Sequence, residues 1–302
     1  MDKVIEYINN NKLGTFKENV SFKNLTTYRC GGNARLVYFP NNVSSLISFM
    51  KFIKEKNIEY KIFGNGSNIL ASDDDYDGII IRLNNLNKYK LDEETNILEV
   101  EAGCGVMILA NLISKMGYSG LEFACGIPGT IGGALYMNAG AYLKSFSDIV
   151  INATLLDNNY NIVTLTNEEL NFSYRKSILS DNKFIVLSVL LQLEKKDVEE
   201  ITKLINERLH RRIDSQPLEY PSAGSVFRNP EGDFAGRLIE ECNLKGMMYG
   251  GAEISSKHAN FIVNKENAKA SDIKYLMELA TYEVEKKFNI KLHREQELFN
   301  FK

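Results

Sequence analysis

Hydrophobic positions recur along the chain with two spacings, and segments of the two kinds alternate. Residues 41–57 have the three-and-four spacing of an amphipathic helix, opened by Asn41 or Asn42 as cap. The apolar positions of this segment are Val43, Leu46, Ile47, Met50 and Ile53. Short apolar runs at 36–39, 60–63 and 78–83 surround the helix and predict strands. The pattern therefore predicts a βαβ-like unit near the N-terminus.

The same criteria divide the rest of the chain into strands and helices, and the type of predicted element changes near residue 195. Strands are predicted at 97–102, 149–156, 161–165, 183–194, 258–264 and in the tail from 293. Helices are predicted at 1–12, 106–117, 197–214, 234–243 and 271–289. A strand-rich block thus gives way to a charged helix near 195, where we expect a domain boundary.

Composition narrows the class of protein. The chain has 302 residues, 44% of them hydrophobic and 25% charged, with a net charge of -3 and no Lys/Arg-rich tract, so nucleic-acid binding is not expected. The N-terminus has no apolar core of a secretory signal, and no apolar run in the chain is long enough to span a membrane. The sequence therefore predicts a cytoplasmic protein without membrane insertion. The four cysteines form no C-x-x-C pair and the three histidines are scattered, so no metal site is expected.

The most informative segment is the glycine-rich run 120–142, GLEFACGIPGTIGGALYMNAGAY. It holds six of the 21 glycines, and Glu122 is its only carboxylate or cationic side chain. The glycines are Gly120, Gly126, Gly129, Gly132, Gly133 and Gly140. Glycine lets a backbone come close to another group, so the run is suited to hold a phosphate on main-chain N–H groups. The alternative is a turn that only packs elements closely.

A second glycine-containing loop, GNGSNIL (64–70), directly follows a predicted strand. It resembles half of a dinucleotide fingerprint, but Ile69 occupies the third glycine position, and Ile108 does so in AGCGVMI (102–108). A Rossmann or P-loop site is therefore rejected. Gly64, Gly66, Ser67 and Asn68 still suit a phosphate-binding turn, or only a connecting loop. Together the two loops favour a pyrophosphate held between two subdomains, as in a large dinucleotide cofactor.

Three further segments carry candidate chemistry. FSYRKS (172–177) is a polar segment between strand-rich stretches, and it contains an arginine, a side chain that suits a carboxylate or phosphate. The alternative is an arginine on the surface without a function. YPSAGSVFRNP (220–230) can present a serine hydroxyl on a tight backbone or only form a turn. HREQELF (293–299) has an acidic residue within a strand-like pattern, facing either solvent or a site.

Taken jointly, these segments resemble the UDP-N-acetylenolpyruvoylglucosamine reductase (UDP-N-acetylmuramate dehydrogenase) family. The matching segments follow one another in family order over nearly the whole chain. They are NLTTYRCGGNA (24–34), GNGSNIL (64–70), GLEFACGIPGTIGGALYMNAGAY (120–142), FSYRKS (172–177), PSAGSVFRNP (221–230), GAEISSKHANFIVN (251–264) and LHREQ (292–296). The passage from FSYRKS to the helix at 197–214 resembles the shorter family type, which lacks an extra substrate-covering loop.

The resemblance implies an α+β fold: a vanillyl-alcohol-oxidase-like FAD-binding fold of two α+β subdomains plus a C-terminal α+β substrate domain. The expected boundaries are 1–85, 86–195 and 196–302. The implied activity is that of an NADPH-dependent flavin oxidoreductase with non-covalent FAD. It would reduce UDP-N-acetylglucosamine enolpyruvate to UDP-N-acetylmuramate for peptidoglycan synthesis, and so act in cell wall biogenesis, cell shape and division.

The resemblance also assigns roles to residues. It gives Arg175, Ser225 as proton donor and Glu295 as the catalytic residues. Substrate contacts are implied for Tyr142, Tyr174, Arg175, Arg228 and Asn229. Flavin contacts are implied for Tyr28, Gly32, Gly64, Asn65, Gly66, Ser67, Asn68, Ile69, Gly126, Pro128, Gly129, Thr130, Gly132, Gly133, Asn138, Gly140 and Ala141.

The chain departs from the family pattern at three positions. Arg228 stands where lysine is common, Arg294 where proline is frequent, and Gln296 where an aliphatic residue is usual. The alternative function is a flavin-dependent carbohydrate oxidase on the same fold. Such enzymes often tether flavin through an N-terminal histidine, whereas all three histidines here lie beyond residue 209. A nucleotide-sugar-binding protein without activity is the third possibility, which Arg175, Ser225 and Glu295 argue against.

Overall fold

The computed structural model describes residues 1–181 and 184–302. In this part of the chain there are seven α-helices: α1 Asp2–Asn10, α2 Val43–Glu55, α3 Val106–Lys115, α4 Ile131–Tyr136, α5 Val198–Ser215, α6 Ala235–Glu241 and α7 Ala270–Phe288. The strands are β1 Gly14–Ser21, β2 Asn33–Pro40, β3 Tyr60–Phe63, β4 Ile69–Ala71, β5 Tyr76–Arg82, β6 Tyr89–Asp92, β7 Ile97–Glu101, β8 Tyr118–Ser119, β9 Gly140–Ala141, β10 Lys144–Ser145, β11 Val150–Leu156, β12 Ile162–Thr166, β13 Ile185–Gln192, β14 Glu194–Lys195, β15 Met248–Tyr249, β16 Ala252–Ile254, β17 Ile262–Asn264 and β18 Glu297–Phe299.

The chain forms two compact units, and each is built from several stretches of sequence. Unit 1 comprises Met1–Glu18, Leu36–Asn65 and Gly78–His210. Unit 2 comprises Asn19–Arg35, Gly66–Asp77 and Arg211–Lys302. The glycine loop 64–70 is therefore divided between the units after Asn65. The three-part division at 85 and 195 stays a prediction.

Unit 1 is built mainly on two larger sheets, and it also holds the two-stranded sheets β9-β10 and β8-β14. The first has the strand order β1-β2-β5-β3, with β3 and β5 parallel. The second is antiparallel, in the order β12-β11-β13-β7-β6. Their inward residues and one face of each of α1, α2 and α3 share a single core, in which Leu46, Phe49 and Ile53 are fully buried. Burial of these apolar faces is the main force that holds the unit together.

Unit 2 packs helices against short strands. Strands β15, β16 and β17 form an antiparallel sheet, and β18 pairs in parallel with β4. The core includes Leu238 and Ile239 of α6 and Leu276 and Met277 of α7. Parallel pairing brings the tail of the chain beside Ile69–Ala71, so the tail and the second half of the glycine loop share one small sheet.

The hydrophobic pattern predicted most of these elements. The helix predicted at 41–57 is α2, and Asn42 is its cap: its Oδ1 accepts the Ser45 N–H at 2.9 Å. The strand predicted at 183–194 corresponds to β13, with Lys183 outside the described residues. The segment 258–264 contributes only β17. The predicted strand pattern around Glu295 is wrong, because β18 begins two residues later, at Glu297.

The sequence pattern missed the helix α4 and eight strands. Seven of these strands are only two to four residues long: β4, β6, β8, β9, β10, β15 and β16. The eighth is β1. In β1, GTFKENVS, none of the eight residues is fully buried, so too few of its side chains are apolar for strand periodicity to appear. In the described part of the chain, no helix is both long and apolar enough to cross a membrane.

Replacing the α2 cap should destabilise unit 1. Asn42→Ala leaves the Ser45 N–H without its acceptor, so we expect the free energy of unfolding to fall by about 0.5–2 kcal/mol. Asn42→Asp keeps a side-chain oxygen at the same place and is the matched control. Urea unfolding followed by circular dichroism measures both. Equal losses for the two variants would show that the cap bond contributes nothing.

Candidate functional site

The predicted catalytic arginine lies in a tight turn of unit 1. Ser173 and Lys176 form an isolated antiparallel bridge, closed by Ser173 N–H to Lys176 O at 2.9 Å and Lys176 N–H to Ser173 O at 3.2 Å. Arg175 has φ +55°, a left-handed conformation that is uncommon for a residue with a side chain. Its guanidinium carbon lies 5.1 Å from the centre of the Tyr174 ring. The turn thus presents a cation and an aromatic ring together.

Two hydrogen bonds attach this turn to the end of the glycine-rich run. Arg175 Nη2 donates to Gly140 O at 2.7 Å. Buried Asn138 donates from Nδ2 to Ser173 O at 3.0 Å. Segments some 35 residues apart in sequence are therefore neighbours, and the predicted catalytic arginine lies beside the predicted flavin-binding run.

The start of the glycine-rich run meets the first half of the GNGSNIL loop. Asn65 Nδ2 donates to Pro128 O at 3.2 Å. A Cβ added to Gly64 would lie 2.6 Å from Thr130 Oγ1, which is closer than real Cβ contacts come. That hydroxyl already accepts the Gly133 N–H at 3.3 Å and so caps α4. Gly64 is thus required by the close approach of the two loops.

Arg82, at the end of β5, is a residue that the sequence analysis missed. The parallel register pairs Arg82 with Phe63, so the side chain lies beside the loop that follows β3. Its Nη2 approaches Asn65 Oδ1 at 3.4 Å, and its buried Nε has no hydrogen-bond partner among the described residues. Burial lowers the pKa of Arg82. The sequence feature that could have identified Arg82 is the position of a cationic side chain at the end of the apolar run GIIIRL.

These groups form a cradle suited to an anion. Within the described residues, the main-chain N–H groups of Asn65, Gly129 and Thr130 have no protein acceptor. Free N–H groups and a partly buried guanidinium are the donors that phosphate oxygens bind. The one carboxylate of the run does not compete, because Glu122 Oε2 accepts the Gly120 N–H at 2.9 Å. The residues present therefore fit a phosphate-containing cofactor.

The remaining predicted residues of unit 1 lie along the same run. Gly132 is tightly packed, since an added Cβ would lie 3.1 Å from Ala102 Cβ. Tyr142 follows β9 with φ +55°, and its hydroxyl donates to Arg208 O at 2.8 Å. Gly126, Gly133 and Ala141 also belong to this run; Gly126 and Ala141 are half-buried, and Gly133 is exposed.

Unit 2 holds Tyr28 and Gly32. The Tyr28 side chain is fully buried and its hydroxyl donates to Gln296 Oε1 at 2.8 Å, while Asn264 Nδ2 donates to Tyr28 O at 2.9 Å. A Cβ on Gly32 would lie 2.6 Å from Asp74 O, so glycine is needed there for packing. The Tyr28 hydroxyl is thus engaged inside the unit.

The second half of the GNGSNIL loop also belongs to unit 2. Gly66 has φ +63°, and a Cβ there would collide with Leu25 O. Asn68 Nδ2 donates to Glu295 O at 3.1 Å. Ser67 and Ile69 flank Asn68 and are half-buried. The loop therefore fixes the backbone of the predicted terminal acid.

Ser225 and Glu295 lie on neighbouring segments of unit 2. Glu295 N–H donates to Val226 O at 2.8 Å, and Phe227 forms an antiparallel bridge with Arg294. Both Ser225 and Glu295 are half-buried. The structure thus brings these two predicted catalytic residues together, while Arg175 belongs to unit 1.

The predicted substrate contacts Arg228 and Asn229 continue the same loop. Arg228 N–H donates to His293 O at 2.9 Å. Asn229 is exposed, and its Oδ1 accepts the Ala235 N–H at 3.1 Å, at the start of α6. In the described residues, no group of three or more His, Cys, Asp or Glu side chains could hold a metal ion.

Two protein families match the chain. The C-terminal domain of UDP-N-acetylenolpyruvoylglucosamine reductase matches residues 216–299. An FAD binding domain matches residues 34–166. These regions include the glycine-rich run and the Ser225 loop, the two parts of the chain in which most of the predicted site residues lie.

Curated relatives and solved structures extend the similarity over the whole chain. UDP-N-acetylenolpyruvoylglucosamine reductase of Clostridium novyi is 43% identical, over 92% of this chain and 90% of that protein. The Bacillus licheniformis reductase is 40% identical over 100% of both. The crystal structure of the Thermus caldophilus reductase matches with a TM-score of 0.82 and 34% identity, covering 94% of this chain and 100% of that one. A berberine bridge enzyme structure, at 15% identity and a TM-score of 0.51 over 65% of this chain and 44% of that one, shares the fold. The fold is the vanillyl-alcohol-oxidase-like FAD-binding fold joined to the reductase C-terminal domain.

Gly64→Ala should weaken FAD binding. The new Cβ forces Thr130 to move or the two loops to separate, which disturbs the cradle. Overpacking of this kind costs about 1–3 kcal/mol, so we expect the FAD dissociation constant to rise roughly tenfold. Titration of apoprotein with FAD, followed by flavin fluorescence, measures it. Gly105→Ala is the control, because its Cβ would meet only Ile108 at an ordinary 3.6 Å; equal affinity of the two variants would contradict the prediction.

Arg82→Met should also weaken FAD binding. It removes the cradle's guanidinium, and a hydrogen bond to a charged group contributes about 1.5–3 kcal/mol. We expect the FAD dissociation constant to rise roughly 10–10²-fold. Arg82→Lys keeps the charge and should lose less affinity in the same titration. Unchanged affinity in Arg82→Met would mean that this guanidinium does not serve the cofactor.

Proposed function

This chain belongs to the UDP-N-acetylenolpyruvoylglucosamine reductase family, and we propose that it reduces UDP-N-acetylglucosamine enolpyruvate to UDP-N-acetylmuramate. FAD is its cofactor and NADPH its reductant. The product is a precursor of peptidoglycan. The observation that carries this conclusion is 40–44% identity to reductases of one name over most of both chains. Action in the cytoplasm is part of the proposal.

The cofactor-binding part of the proposal rests on unit 1. Bound FAD supplies hydride transfer, from NADPH to the flavin and from the flavin to the methylene carbon of the enolpyruvyl group. The residues that would hold its diphosphate are Asn65, Gly129 and Thr130 through their N–H groups. Arg82 adds positive charge beside them. The further flavin contacts expected at 126–141, at 64–69 and at Tyr28 and Gly32 remain part of the proposal.

Three side chains are proposed to act on the substrate. Negative charge develops on the carbon next to the carboxylate as hydride arrives, and the Arg175 guanidinium would stabilise it electrostatically. Ser225 would donate the proton to that carbon, which is basic enough to accept one from a hydroxyl. Glu295, on the segment bonded to the Ser225 loop, would support the carboxylate by hydrogen bonding.

Aromatic and polar side chains of both units are proposed to bind the rest of the substrate, away from its enolpyruvyl group. Tyr142, Tyr174 and Arg175 lie in unit 1 near the end of the glycine-rich run. Arg228 and Asn229 lie in unit 2, in the loop at 220–230 that also carries Ser225. A guanidinium and a carboxamide are suited to a diphosphate because they donate several hydrogen bonds.

A two-step absorbance experiment under anaerobic conditions tests the function. NADPH should bleach the flavin band of the purified holoprotein, and the enolpyruvyl substrate should then restore it. In a flavin carbohydrate oxidase, which the comparisons do not favour, only oxygen would restore the flavin band. A protein without a flavin band would contradict both assignments.

Ser225→Ala should separate the two half-reactions. The variant keeps its flavin and its reduction by NADPH, because hydride transfer to flavin does not use the hydroxyl. Reoxidation by substrate should slow roughly 10²–10⁴-fold for loss of a positioned proton donor. Stopped-flow absorbance measures both steps, with Ser222→Ala from the same loop as the control. Equal slowing of both steps would refute the donor role.

A further inference from the structure

Gln296 is a buried polar residue to which the proposed reaction assigns no role. Its side chain is 3% exposed. Nε2 donates to Ala223 O and to Gly224 O, both at 3.0 Å, and Oε1 accepts the Tyr28 hydroxyl at 2.8 Å. Both N–H groups and the carbonyl of the amide are therefore used inside unit 2.

The chemistry of the neighbours fixes which way the amide faces. Two carbonyl oxygens have no proton to donate, so only the NH₂ group can face Ala223 and Gly224. The Tyr28 hydroxyl is the donor on the other side. Burial raises the pKa of Tyr28, so this hydroxyl keeps its proton. An aliphatic side chain at position 296 could make none of these bonds.

These bonds hold the backbone directly before Ser225. Gly224 has φ +76° with open space where a Cβ would lie, so packing does not hold this left-handed residue in place. On the other side of Ser225, Val226 O accepts the Glu295 N–H at 2.8 Å. The serine thus lies between carbonyls bound by two consecutive residues, Glu295 and Gln296.

We propose that Gln296 is a positioning residue that sets the Ser225 hydroxyl for proton donation. This inference rests on the proposed function. Glu295 and Gln296 are consecutive, so the short segment that precedes β18 places the proton donor and the terminal acid relative to each other. Because Gln296 acts through the backbone at 223 and 224, its loss should affect protonation of the substrate and leave hydride transfer from NADPH to flavin intact.

Gln296→Met tests the proposal with a side chain of similar length and no donor. In stopped-flow measurements on the holoenzyme, flavin reduction by NADPH should stay within about twofold of wild type. Reoxidation by the enolpyruvyl substrate should slow by roughly 10–10²-fold, as expected for a reacting group misplaced by about 1 Å. The solvent deuterium isotope effect on reoxidation should increase, because proton transfer then limits that step.

Gln192→Met is the matched control. Gln192 also donates from Nε2 to main-chain carbonyls, of Thr95 at 3.0 Å and Leu193 at 3.2 Å, but it lies at the exposed end of β13 in unit 1. In Gln192→Met, the rates of flavin reduction by NADPH and of reoxidation by the substrate should both match those of the wild-type enzyme. Equal slowing of reoxidation in the two methionine variants would overturn the assignment of Gln296.

A double variant keeps the proposal testable if Gln296→Met folds poorly. Tyr28→Phe with Gln296→Met removes the stranded hydroxyl, so its melting temperature should lie closer to that of wild type than the single variant's. Reoxidation should remain slow, because the carbonyls of 223 and 224 still lack a donor. Recovery of reoxidation together with stability would show that Gln296 is only structural. Wild-type enzyme that the substrate fails to reoxidise would instead overturn the proposed function.

Discussion

Hydrogen bonds from buried side-chain amides to the main chain are the interactions on which the candidate site depends. The predicted site residues lie mostly on loops, whose peptide groups lack the regular partners of a helix or sheet. In unit 1, Asn138 binds the turn that carries Arg175. In unit 2, Asn260 binds both the N–H and the carbonyl of Phe227, at 2.9 and 2.8 Å, and Gln296 binds the carbonyls before Ser225. Each amide gives a loop a defined shape without extending a sheet.

The proposed cofactor and substrate sites use different sources of positive charge. In unit 1 the glycine-rich run offers oriented N–H groups and contributes no cationic side chain, so Arg82 from a neighbouring strand is the cation of the cradle. In unit 2 the Ser225 loop carries its own arginine, Arg228. Main-chain donors suit a cofactor that stays bound, because they are fixed by the fold and lose little freedom on binding. Long side chains suit a substrate that must enter and leave.

The sequence predicted six of the seven helices and the longer apolar strands because each has a clear apolar period, as in α2. The helix α4 was missed because it lies within the glycine-rich run. It also identified the segments that carry the candidate site, through glycine content and family resemblance. It could not predict Arg82 or Gln296 as contributors, since their neighbours depend on strand register. Arg82 reaches Asn65 only because β3 and β5 pair in parallel with Phe63 beside Arg82. Gln296 reaches Ala223 only because the tail lies antiparallel to the Ser225 loop. The polar strand β1 was missed because it has no apolar periodicity, and the strand in the tail was predicted to begin too early.

The left-handed conformation of Arg175 is also imposed by the hydrogen bonds of the loop in which it lies. A non-glycine residue in this region costs about 1 kcal/mol or more, so it persists only where its surroundings impose it. Here the turn is closed by the Ser173–Lys176 bonds, and the side chain itself is bonded to Gly140 O. Glycine at 175 would relax the backbone but remove the guanidinium that the proposed chemistry requires. The strain is therefore the cost of placing a cation at the tip of a two-residue turn, and the bonds to the glycine-rich run are what offset it.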